Sequence, residues 1–139
     1  MEFQEWSTRL LKDIQSGFFS LYLSVLIDAE ILNAPNEVKN YYMFFRECAQ
    51  KILDLNSEAI ELADAYIQHG ILTHNFTDDA RHIALATITN VDVLVSWNFK
   101  HIVHFDKIQK FNAINIELGH KPIQVYSPRE VATYGNKNG

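Results

Sequence analysis

The stretch Thr77-Asp78-Asp79-Ala80-Arg81-His82-Ile83-Ala84-Leu85-Ala86-Thr87, followed closely by Val91-Asp92-Val93-Leu94-Val95-Ser96-Trp97, decides the fold class. In the first part, Asp79, His82, Ile83 and Ala86 recur at i, i+3, i+4 and i+7, one stripe of an α-helix. Thr77 is a favourable N-cap residue, so a helix is predicted over 78–89. In the second part three aliphatic residues stand in a row at 93–95. An unbroken aliphatic run of this kind is the pattern of a strand buried on both faces, as in parallel sheets. A helix feeding such a strand is the repeating unit of an α/β fold.

The same alternation continues in both directions. Upstream, Phe3, Trp6, Leu10 and Ile14 repeat at helical spacing and Gly17 is placed to end the helix, predicted over 2–16. Residues 18–24 are aromatic and aliphatic and suit a buried strand. A short helix is predicted over 25–32. A longer one follows to about residue 50, with Pro35 in its first turn, where a missing N–H costs nothing. Residues 51–55 read as short and extended. Ser57 is predicted to cap a helix ending at Gly70, with Glu58 and Glu61 near its positive end. Downstream, a helix over 107–118 ends at Gly119, and a strand is predicted over 122–126. Ser127, Pro128, Arg129 and Glu130 form a capping box with Pro at the first helical position. Only the tail 135–139 reads as disordered. The expectation is one domain over 1–139, α/β in class, with a mostly parallel sheet.

Composition narrows the function classes. A chain of 139 residues is long enough for a single core, burying roughly 68–70% of its unfolded surface. One cysteine, Cys48, excludes an intramolecular disulfide and a cysteine-based zinc cluster, and suits a reducing compartment. The nearly apolar run 17–27 falls short of the about 20 residues a membrane span needs, and the N-terminus carries no basic leader. A cytoplasmic location is therefore expected. The net charge of −5 is uneven: residues 1–70 hold 11 acidic and 5 basic side chains, and 71–139 hold 6 and 7. An acidic chain is a poor non-specific binder of nucleic acid. It still suits a metal-dependent enzyme acting on phosphates, because carboxylates hold Mg²⁺ and Mn²⁺.

No Gly-rich phosphate loop, nucleophile elbow or paired-histidine zinc helix occurs. His82, His101, His104 and His120 lack metal-ligand spacing as a group. Acidic and polar residues at element ends remain. Asp79 reads either as a dipole-favoured helix-start residue or as a carboxylate directed into a cleft, with Asp78 the plainer dipole residue. Glu30 lies among Leu26, Ile27, Ala29, Ile31 and Leu32, and is either an outward-facing charge or one held by a partner or metal. Asp28 is expected to face solvent. Asn98 follows the 91–97 strand, at the end where α/β sheets bind ligands, and could equally stabilise the turn. Lys100 and His101 are candidates for phosphate contact.

These residues also carry a resemblance. Asp79-Ala-Arg-His-Ile-Ala-Leu-Ala-Thr, then Asp92-Val-Leu-Val-Ser-Trp-Asn-Phe-Lys-His101, resembles the PIN-domain nucleases, especially bacterial PIN proteins related to VapC-type toxins. Phe111-Asn-Ala-Ile-Asn115, Gly119 and Pro128-Arg-Glu-Val131 extend it, as do Ser24 through Glu30 and Ala34-Pro35. The resemblance implies a three-layer α/β/α fold and Mg²⁺- or Mn²⁺-dependent cleavage of RNA, possible toxin action with an antitoxin partner, and a homo-oligomer. It implies Glu30, Asp79 and Asn98 as catalytic residues converging at one sheet end, Glu30 and Asp79 as metal ligands, and Lys100 and His101 on the RNA-binding rim. Two departures are visible. The family's first strand, with its metal-binding Asp, is missing from this sequence, so 18–24 and 91–97 are expected to pair directly or to receive a strand from another chain. Asn98 is neutral where many PIN nucleases have Asp. The rival expectation is an inactive PIN-like remnant serving as a binding or oligomerisation module. A flavodoxin-like small-ligand binder is a weaker third, since the phosphate loop is lacking.

Overall fold

The computed structural model describes residues 2–71, 76–95, 105–127 and 130–131. The chain forms two compact units, one of residues 1–54 with 128–139, the other of residues 55–127. Each is an α/β arrangement built on a parallel strand pair.

In the first unit, α1 (Glu2–Gln15) buries Leu10 and Ile14 of the expected stripe and Leu11 beside them, while Trp6 is half-buried. Gly17 ends it at φ +86°, a left-handed conformation that a side chain would strain. The amides of Gly17 and Phe18 return to the carbonyls of Ile14 and Asp13 at 3.0 and 2.9 Å, closing the helix end. Strand β1 (Tyr22–Ser24) runs without a loop into α2 (Val25–Ile31), and α3 (Asn36–Cys48) leads to β2 (Lys51–Leu53). Tyr22, Leu23 and Ser24 pair in parallel with Lys51, Ile52 and Leu53, so α2 and α3 form the crossover between them. Pro35 stands at the N-cap of α3, one position before the expected first turn. Strand β1 is shorter than the predicted 18–24 and buried only at Leu23 and Ser24; Phe18 and Tyr22 are exposed.

In the second unit, α4 (Ser57–Gln68) and α5 (Thr77–Thr89) pack closely, with Ala59, Ala63, Ala80 and Ala84 all fully buried. Small side chains let the two backbones approach. The cap of α4 is Asn56 rather than the expected Ser57: its Oδ1 accepts the Ala59 amide at 2.8 Å, and Ser57 becomes the first helical residue. Thr77 is likewise helical rather than capping, and Phe76 precedes it with no side-chain cap bond. Asn90, at φ +61°, ends α5.

Strand β3 (Val93–Val95) pairs in parallel with β4 (Gln124–Tyr126), with α6 (Phe105–Glu117) between them in the chain. All three β3 residues are half-buried, so this strand is less enclosed than its aliphatic run predicts. Among the described residues the strand pairs are β1 with β2 and β3 with β4. No helix among the described residues is long and apolar enough to cross a membrane. The capping-box residues 128–129, His104 and the tail 135–139 lie outside the described residues.

Candidate functional site

Two acids lie on α2, and the structure treats them differently. Glu30 is exposed, about a turn and a half beyond the end of β1, and no residue of α2 is buried. The apolar run around Glu30 therefore does not enclose its charge. Asp28, expected in solvent, is instead held by α3. Tyr42 donates its hydroxyl hydrogen to Asp28 Oδ1. Arg46 approaches both carboxylate oxygens, Nε to Oδ1 and Nη2 to Oδ2 at 3.4 Å each. Tyr42 and Arg46 are one turn apart on α3, so they reach the same point on α2. Their hydrogen bonds, Tyr42 first and then Arg46, hold the Asp28 carboxyl below the usual carboxylate range. Burial, then the bond to Asp28, pushes the Tyr42 hydroxyl up to about 12.

Asp79 occupies the first turn of α5, where the helix dipole favours a carboxylate. It is half-buried, whereas neighbouring Asp78 is exposed. Ile83 and Ala86, further along the same stripe, are buried, and His82 is half-buried. Asp79 thus heads a stripe whose later members turn inward. Asn98, Lys100 and His101 lie outside the described residues. Glu30 belongs to the first unit and Asp79 to the second. Among the described residues no three His, Cys, Asp or Glu side chains group closely enough to hold a metal ion.

The second unit also contains a polar network that sequence reasoning missed. Tyr66 on α4 is fully buried, and its hydroxyl donates to Asn115 Oδ1 at 2.5 Å. Asn115, fully buried on α6, directs Nδ2 toward Thr87 Oγ1 and Asn112 Oδ1 at 3.4 and 3.3 Å. Asn112 in turn binds the backbone of Ile123, donating to its carbonyl at 2.9 Å and accepting its amide at 2.7 Å. The chain from Tyr66 to Ile123 joins α4, α5 and α6 to the approach to β4. The Tyr66 ring also meets Phe111 edge-on, with centroids 4.8 Å apart. Burial pushes the Tyr66 hydroxyl up to about 12. The Asn112/Asn115 pair at i, i+3 was the available signal, since two amides on one helix face must be solvated or mutually satisfied.

No protein-family model, curated protein or solved structure matches the chain.

Proposed function

We propose that the chain is a PIN-like domain of the metal-dependent ribonuclease type, of the kind that serves as the toxin of a toxin–antitoxin pair. The observation that carries this reading is Asp79. It stands half-buried in the first turn of α5 at the head of a stripe that turns inward, within the sequence string that resembles the family. Glu30, Asp79 and Asn98 are the proposed catalytic residues, with Lys100 and His101 contacting the RNA backbone. Glu30 and Asp79 offer hard carboxylate oxygens, the donor chemistry that Mg²⁺ or Mn²⁺ requires. Such an ion, when bound, supplies a more acidic water and neutralises charge on the transferring phosphoryl group. The protein's own share is to offer the Asp79 carboxylate from the first turn of α5 and to present cations to the phosphate.

A second reading, an inactive PIN-like module acting by binding, is favoured by two observations. Asn98 is neutral where the family often has an acid. The α2–α3 region also exposes large apolar side chains, Leu32 and Met43 among them.

Cleavage of a fluorescent single-stranded RNA, with Mn²⁺ and with chelator, separates the readings. The nuclease reading expects metal-dependent cleavage that falls at least about a hundredfold in Asp79→Asn and in Glu30→Gln, the scale of losing a group that acts in the transition state. Cleavage that is indifferent to chelator and to both substitutions overturns it. A well-folded chain with no cleavage of any RNA tested supports the binding module.

A further inference from the structure

We infer that Tyr42 and Arg46 are positioning residues for Glu30: by pinning Asp28 to α3 they fix the rotation of α2, and with it the direction in which Glu30 is presented. The inference rests on the nuclease reading for what Glu30 does, and on the contact of α2 with α3 for how it is held.

Helix α2 has little of its own to fix its orientation. It has seven residues, and isolated helices shorter than roughly 12 residues are marginal in water. None of its residues is buried, so no apolar face anchors it in the core. Its N-cap residue, Ser24, makes no side-chain cap bond. Asp28, in its first turn, supplies an attachment instead. Tyr42 donates to its Oδ1, and the Arg46 guanidinium approaches both oxygens at 3.4 Å. Hydrogen bonds to an ionised acceptor are about twice as strong as neutral ones. Two donors from successive turns of α3 also set a direction: α2 could swivel about one bond, but not freely about both. The α3 side of this clamp is itself anchored, because Phe45 is buried and Tyr41 meets Thr8 of α1 at 2.8 Å.

The clamp reaches Glu30 through the helix. Glu30 follows Asp28 by two residues, so it leaves α2 about 200° around the axis and about 3 Å further along. Pinning the Asp28 side to α3 therefore determines where the Glu30 side points. Side-chain ends lie roughly 5 Å from a helix axis, so a swivel of only about 10° moves such a group by about 1 Å. A group in a binding constellation has to be held to within about 0.5 Å. A small loosening of the clamp is thus enough to misplace Glu30 without unfolding the unit.

Two measurements on the full chain test this. In hydrogen exchange, the amides of α2 should exchange on the order of tenfold faster in Tyr42→Phe, the scale of losing a hydrogen bond to a charged group. Arg46→Gln should give a smaller increase, since the ion pair is more exposed. Tyr41→Phe removes a hydroxyl bond from a different side of α3 and should leave α2 unchanged. In RNA cleavage, Tyr42→Phe should raise the Mn²⁺ concentration for half-maximal rate by about 10–100-fold, with the rate at saturating Mn²⁺ largely retained. A merely structural loss lowers the rate at every Mn²⁺ concentration and leaves the midpoint in place, as expected of Tyr41→Phe. Unchanged α2 exchange in both clamp variants overturns the proposal. So does a cleaving wild type whose Mn²⁺ midpoint neither clamp substitution moves, or whose midpoint Tyr41→Phe moves equally. A wild-type chain that cleaves no RNA overturns the nuclease reading instead, and faster α2 exchange confined to the clamp variants then still upholds the positioning of Glu30.

Discussion

Truncating Tyr66 to Phe tests whether the buried network in the second unit acts as one. The hydroxyl is fully buried and donates to Asn115 Oδ1 at 2.5 Å. The ring and its edge contact with Phe111 survive the change, so the loss is confined to the hydrogen bond. Asn115 Oδ1 is then left in the core without this donor, which costs about 1–2 kcal/mol. Asn115→Ala removes the acceptor and the carboxamide volume together, at about 2–4 kcal/mol. Once Tyr66 is Phe, removing Asn115 no longer strands a hydroxyl. The double variant should therefore lose about 1–2 kcal/mol less than the sum of the singles. Urea unfolding followed by circular dichroism reads this directly: with a slope of about 2 kcal/mol per molar, Tyr66→Phe lowers the midpoint by about 0.5–1 M. A midpoint within about 0.2 M of wild type for Tyr66→Phe, or strict additivity in the double variant, refutes the reasoning.

Alkaline titration probes the same group. Its folded value is raised from 10.0 to about 12, so its contribution is complete below pH 10 and is lost as pH rises through 12. Two pH units correspond to about 2.7 kcal/mol, and Tyr66→Phe should unfold correspondingly less steeply over this window in pH-dependent urea melts. For Asp28 the sign is opposite. Its folded value is lowered, so its contribution is present above the usual carboxylate range and is lost as pH falls through the folded value. The thermal-melt difference between wild type and Asp28→Asn should therefore shrink on acidification. Gly17→Ala forces a side chain into φ +86°, where an added Cβ meets no steric obstacle but the backbone is strained. A stability loss of about 1–2 kcal/mol is expected, with Gly17→Asn losing less.

The sequence carried the order of helices and strands well because their determinants are local. The stripe of α1, the glycines at 17, 70 and 119, and the Val93–Val95 run each act within a few residues, and each element formed near its predicted place. Errors arose where a neighbour in space decided. Asn56 outcompeted Ser57 as a cap because both residues suit the position and only backbone geometry distinguishes them. Strand burial was overestimated from the aliphatic run alone, since a run reports affinity for a core rather than its extent. Asp28 was misplaced because its partners stand 14 and 18 residues away on α3. The Asp79 and Asp78 contrast, by contrast, was legible, because helical periodicity alone separates the two.

The capture of Asp28 bears on which acid of α2 can act chemically. Asp28 and Glu30 are two residues apart, so they face about 200° away from one another around the helix. Asp28 Oδ1 takes a hydrogen bond from Tyr42, and both its oxygens face the Arg46 guanidinium. A divalent cation at Asp28 would have to displace that hydrogen bond and sit beside a fixed positive charge, which repels it. Glu30 stands on the opposite side of the helix and is exposed. Charge geometry within the first unit therefore assigns Asp28 to holding α2 on α3 rather than to binding a cation. The assignment rests on Tyr42 and Arg46, which played no part in the resemblance to PIN nucleases.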